Sequence, residues 1–167
     1  MRGFFSVNLD AYTEALNRID VPIRDGMRRA QKPHITLMFC PDISESVVRS
    51  VVTGLRSPPF WLRGDSVMAY PSQEDPDLYA LCFEDERELH RLRGTLESYA
   101  PEHTGEYRLH VTLAGKTDPH SNFQEGRSLV EKVESVDIFV DTVHFVASAP
   151  ERGMHSYENR FEVRLVA

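Results

Sequence analysis

Pro33-His34-Ile35-Thr36-Leu37 and Leu109-His110-Val111-Thr112-Leu113 are one local word written twice, with 76 positions separating His34 from His110. Two chance copies of His-apolar-Thr-Leu in a chain of this composition have a probability on the order of 10⁻⁴, so the repetition carries a meaning that one copy would not. Each word reads as strand, and successive side chains of a strand point to opposite faces. His34 and Thr36 therefore share one face and Ile35, Leu37 and Phe39 the other. His110 and Thr112 have the same parity, with Leu109, Val111 and Leu113 turned toward a core. Each strand thus offers an imidazole and a hydroxyl on its polar face.

Outward from these words, strands and helices interleave. GFFSVNL at 3–9 reads as strand, followed by a helix opening near Asp10 with Tyr12, Leu16 and Ile19 on its apolar side. After the first motif, Ser44 caps a helix carrying Val47, Val48, Val51 and Leu55 at helical spacing. FWLRGDSVMAY at 60–70 and LYALCF at 78–83 form a hairpin around the turn-rich PSQEDPD. A helix with Leu89, Leu92 and Leu96 on one side precedes a second motif strand at 107–115. A weaker helix is expected near 122–134, and VDIFVDTVHFVAS and ENRFEVRLV close the chain as strands. The order favours an α+β fold over a bundle or sandwich. It also repeats, roughly over 3–57 and 78–134, which predicts two related lobes with a groove between them inside one domain spanning 1–167.

At 167 residues, 41% hydrophobic and 27% charged, the composition is that of an ordinary globular chain. No apolar run reaches the roughly 18 residues of a membrane span and no secretory signal is legible, so the cytoplasm and no membrane partner are expected. Cys40 and Cys82 lie far apart in apolar runs and read as buried free thiols. A net charge of −7 argues against docking on long nucleic acid, which requires many phosphate neutralisations. Any anionic substrate is small or gripped locally, as a nucleotide or oligonucleotide would be.

Two imidazoles and two hydroxyls facing one groove suit phosphodiester cleavage. With an unperturbed pKa near ~6.5, one histidine can take a proton while the other gives one, and threonine hydroxyls can donate to non-bridging oxygens. A zinc site is the sharper rival, but neither word has a further ligand at metal spacing, and HExxH, CxxC, GxSxG and P-loop patterns are missing. No metal and no cofactor are expected. Arg24, Arg28, Arg29 and Lys32 crowd the loop before the first word and could clamp phosphates, with Arg28 or Arg29 the preferred contact. Phe5 and Tyr157 are candidate stacking platforms for a base, with core packing the competing role for Phe5. His144 lies in an apolar strand and reads as structural, while His90, His103, His120 and His155 read as solvent-exposed.

The paired His-x-Thr words in two half-repeats resemble the 2H phosphoesterase superfamily, specifically its 2'-5' RNA ligase and 2',3'-cyclic nucleotide phosphodiesterase branch. GFFSVNLD resembles that branch's opening strand, PHITLMF and LHVTLAG its motif strands, LYALCFEDERELHRLRGTLESYAP the strand and helix before the second motif, and VHFVASAPERGMHSYENRFEVRLV its closing elements. The resemblance implies a bilobed α+β fold of two pseudo-symmetric lobes of antiparallel sheet, with helices on the outer faces and a central groove. It also implies a metal-independent hydrolase of 2',3'-cyclic phosphates or 2'-5' linkages; separately, a monomer is expected. Carried residue by residue, it makes His34 and His110 the catalytic pair, His110 as base and His34 as acid, and gives phosphate binding to Thr36 and Thr112. Met38-Phe39-Cys40-Pro41 departs from the glycine-bearing stretch the branch often has after the first motif. A phage-type hydrolase of cyclic oligonucleotide signals, a non-catalytic nucleotide-binding module and an RNA-joining enzyme are the alternatives.

Overall fold

In a computed structural model of the chain, residues 1–103, 109–116, 126–149 and 156–167 are described. The strands are β1 (Gly3–Asn8), β2 (Met27–Arg29), β3 (His34–Cys40), β4 (Phe60–Tyr70), β5 (Leu78–Phe83), β6 (Val111–Lys116), β7 (Ser128–Val140), β8 (Thr142–Ser148) and β9 (Tyr157–Arg164). The helices are α1 (Thr13–Asn17), α2 (Glu45–Gly54) and α3 (Arg87–Tyr99). All nine strands belong to one sheet in the order β7-β4-β5-β6-β3-β1-β8-β9, with β2 also paired to β6, and every pairing is antiparallel. The fold is α+β, as expected.

The sheet is two halves meeting at a seam. β3, β1, β8 and β9 lie on one side and β6, β5, β4 and β7 on the other. At the seam, β3 and β6 are joined through one bridge, Ile35 to Val111. Farther along β6 its edge is taken by β2, with Arg29 against Ala114 and Met27 against Lys116. A seam held by one bridge lets the two halves splay, as a groove requires.

One face of the sheet is covered. Ser44 caps α2 by accepting from the Val47 amide at 3.3 Å, which satisfies a donor that the first turn would otherwise leave unpaired. Val48 and Val51 of α2 and Leu89, Leu92 and Leu96 of α3 are buried in one cluster with Ile35, Leu37, Val111 and Leu113. The apolar sides of both motif strands thus face the helices, so His34, Thr36, His110 and Thr112 face away from them. Gly3 lets β1 lie close to β8, since a Cβ there would run into Val146 O and the Phe145 ring. Gly26, at φ 83°, supplies the left-handed turn that leads into β2.

Four expectations change. The helix after β1 is a 3-10 turn at Asp10–Tyr12 followed by the five-residue α1, although Leu16 and Ile19 are buried as the pattern requires. The stretch expected as a weak helix is strand from Ser128 onward, with residues 122–125 outside the described residues; the second motif strand, expected at 107–115, begins at Val111, so His110 immediately precedes it, and residues 107–108 lie outside the described residues. The run 136–148 is two strands. β7 ends at Val140 on the edge beside β4, and β8 begins at Thr142 beside β1 and β9. One residue spans only about 3.8 Å between Cα atoms, so the sheet must curl to bring these ends together at Asp141. The Asp141 carbonyl also accepts from the Leu165 amide at 2.7 Å.

Candidate functional site

The bridge between Ile35 and Val111 sets the register of the two words. Extended past that one bridge, antiparallel alternation would set His34 beside Thr112 and Thr36 beside His110, which immediately precedes β6, on the face turned away from the helices. The histidines sit on a diagonal, a relation that separates backbones by about 7–8 Å.

On the β3 side the groove opens into a cavity of about 580 Å³ beside His34. His34 is partly exposed; its Nδ1 lies 2.9 Å from the Lys32 carbonyl, and its ring stacks on Phe4 at 5.3 Å and 27°. A carbonyl can only accept, so in this contact Nδ1 carries the proton and donates it, and Nε2 is the other ring nitrogen left for a ligand. Asn8 is the cross-strand partner of His34, Ser6 of Thr36, and His144 of Ser6. Tyr157 meets Phe4 edge-on at 5.3 Å.

On the β6 side the second histidine rests on a buried ring. His110 lies 5.5 Å from the ring of Tyr70, which is fully buried with Cys82 and Ala80 in a small cluster of its own. The Tyr70 hydroxyl lies 3.5 Å from Cys82 Sγ and accepts from Arg127. Burial raises the Tyr70 phenol well above its ordinary range; the Cys82 hydrogen bond adds to this and Arg127 opposes it. Ala80 is the cross-strand partner of Thr112, so the neighbour beside that threonine on β5 is a methyl group.

Several residues fall elsewhere than the sequence suggested. Phe5 is no stacking platform: strand parity turns it into the core, 1% exposed and 5.0 Å from Phe145, while Phe4 takes the groove position. Tyr157 does line the cavity. Arg28 is exposed on β2, and Arg29 donates to the Ile19 carbonyl with its Nη1 buried and unpaired, so it anchors the end of α1; neither borders the cavity. Arg24 is spent on the Gln73 and Glu74 carbonyls at 2.7 and 2.8 Å. Phe39 is partly exposed beneath Arg2, because an irregularity in the β1–β3 register reverses the parity beyond Leu37. His144 lines the cavity rather than serving the core. The alternation of Val143, Phe145 and Ala147 with His144 and Val146 could have revealed it. His90 pairs with Glu86 at 3.3 Å, and His103 is largely buried beside Glu102. His120 and His155 lie outside the described residues. Both cysteines are free and buried, and burial pushes the Cys40 thiol up to about 12. Among the described residues, no three His, Cys, Asp or Glu side chains gather as a metal would require, and no helix is long and apolar enough to cross a membrane.

A curled antiparallel sheet split at a seam, with helices behind it and a His-x-Thr strand on each side, defines a LigT-like α+β class. Escherichia coli LigT complexed with NADP+ superimposes with a TM-score of 0.74 at 20% identity, covering 99% of this chain and 98% of that one. The Thermus thermophilus protein TT0787 does so with a TM-score of 0.69 at 21% identity, covering 99% and 98%. No curated protein sequence matches. The model of the 2'-5' RNA ligase superfamily matches residues 10–151, and the chain belongs to that superfamily.

Proposed function

We propose that this chain hydrolyses a ribonucleotide phosphodiester, a 2',3'-cyclic phosphate or a 2'-5' linkage, without a metal ion. Family and fold support an enzyme of phosphodiester chemistry. The observation that carries the finer reading is the Ile35–Val111 bridge, which lines both words along one face. His110 takes a proton from water as its oxygen attacks phosphorus, and His34 gives a proton to the departing ribose oxygen, so the ester is replaced by a phosphomonoester and a free hydroxyl. The Lys32 carbonyl holds the His34 ring through Nδ1, which leaves Nε2 as the nitrogen that can serve the leaving oxygen. Thr36 and Thr112 donate to the non-bridging oxygens, whose charge grows in the transition state. LigT has been captured with 3'-AMP and with ATP, which supports a ligand of nucleotide size here.

The test is incubation with 2',3'-cyclic nucleotides, 2'-5' oligoadenylate and cyclic dinucleotides, resolved by chromatography, for the native chain and for His34→Ala and His110→Ala. Each substitution is expected to lower turnover by about 10²–10⁴. Near-native rates in both variants would overturn the mechanism. Chelator is expected to leave the rate unchanged, and a loss restored by zinc would favour metal catalysis instead.

A further inference from the structure

Away from the seam, the cavity beside His34 holds chemistry that proton transfer does not use. Thr36, Ser6, His144 and Glu162 follow one another as cross-strand partners over β3, β1, β8 and β9. Strands in a sheet stand about 4.8 Å apart, so His144 lies about 10 Å from Thr36, within reach of the nucleoside attached to a phosphate at the seam. Asn159 Nδ2 meets His144 Nδ1 at 2.9 Å. In that assigned orientation the amide donates, so the neutral ring carries its proton on Nε2, the nitrogen left to a ligand.

The walls discriminate between ligands. Phe4, Tyr157 and Val146 are apolar or aromatic, while Ser6, Asn8 and Asn159 are uncharged hydrogen-bonding groups. Among the described lining residues Lys32 and Asp10 carry opposite charges, and Glu162, outside the lining, places Oε2 4.0 Å from His144 Nδ1. A second phosphate would meet the Asp10 carboxylate as well as Lys32. A neutral planar base, held against aromatic rings and read along one edge, is the better fit, and a volume of about 580 Å³ accommodates a nucleoside.

We infer that His144, set in place by Asn159, is a third ligand-contacting histidine, which donates a hydrogen bond to an acceptor on the nucleobase edge. The inference rests on the phosphodiesterase reading for its substrate, and its test separates the two. The rates kcat/KM are measured on the four nucleoside 2',3'-cyclic monophosphates and on base-free 1-O-methylribose 2',3'-cyclic phosphate. His144→Ala is expected to lose at least tenfold more on the best nucleotide than on the base-free ester, and to narrow the spread among bases. His144→Gln, whose amide nitrogen reaches the position of Nε2, restores part of that preference, and Asn159→Leu loses part of it. Equal losses on base-bearing and base-free esters would overturn the inference. Should His144→Ala not fold, Asn159→Leu decides by the same ratio. Should the native chain cleave none of these esters, the phosphodiesterase reading fails while the subsite is still tested by calorimetry with 3'-nucleoside monophosphates. At least tenfold weaker binding by His144→Ala upholds it; unchanged binding, or none by the native chain, overturns it.

Discussion

The two sides of the seam carry the same word in different surroundings. On the β3 side, His34 stacks on Phe4 at the mouth of a cavity rimmed by Asn8, His144 and Tyr157. On the β6 side, His110 leans on buried Tyr70, with Ala80 and Cys82 filling the floor. The two words share one face, but their described surroundings differ: beside His34 lies a cavity of about 580 Å³, and beside His110 lies a buried tyrosine.

The largest effect expected is common to both sides. If the imidazoles act as a pair, the His34→Ala, His110→Ala double variant should be little slower than either single variant, because groups that act as one unit are strongly non-additive. Multiplying losses would mean that the sides work independently. Next, Thr36→Val and Thr112→Val should each lower kcat by about 10²–10³ if each hydroxyl donates to the developing charge. A loss confined to one of them would sharpen the asymmetry.

Stability should separate the sides. Tyr70→Ala empties a fully buried site and should cost about 3–5 kcal/mol in denaturant unfolding, whereas Tyr157→Ala, at the cavity rim, should cost much less. Equal costs would show that the rim of the cavity is as tightly built as the ground under His110. Tyr70→Phe, which removes only the hydroxyl that meets Cys82 and Arg127, should cost about 1 kcal/mol. The smallest effect concerns Cys40. Burial holds its thiol protonated up to about 12, so the folded chain keeps a proton that the unfolded chain releases from about pH 9. Unfolding titrations should therefore show stability falling as pH rises through that window, and Cys40→Ala should flatten the slope.

Much of this was legible before any coordinates. The hairpin at 60–70 and 78–83, the capped α2, the leucine face of α3 and the shared parity of the two words follow from local pattern, because one buried face imposes a regular period on each element. What escaped was non-local. Asp141 looks like one polar residue within a strand, yet it is the corner where the chain crosses between halves, a fact fixed by pairings far away in sequence. Phe4 and Phe5 are adjacent aromatics, and only the register against Phe145 and Val146 decides which one enters the core. Arg29 looked like a phosphate clamp because charge density is visible in sequence, while its bond to the Ile19 carbonyl is not. His144 was passed over because an apolar strand suggests burial, although its own alternation with Val143 and Phe145 pointed outward.

The most direct measurement is a crystal structure of the chain with a 3'-nucleoside monophosphate bound. One phosphate should lie within about 2.6–3.2 Å of a ring nitrogen of both His34 and His110, with the base on the β3 side. A phosphate touching one histidine alone, or seated away from the Ile35–Val111 bridge, would contradict a shared site.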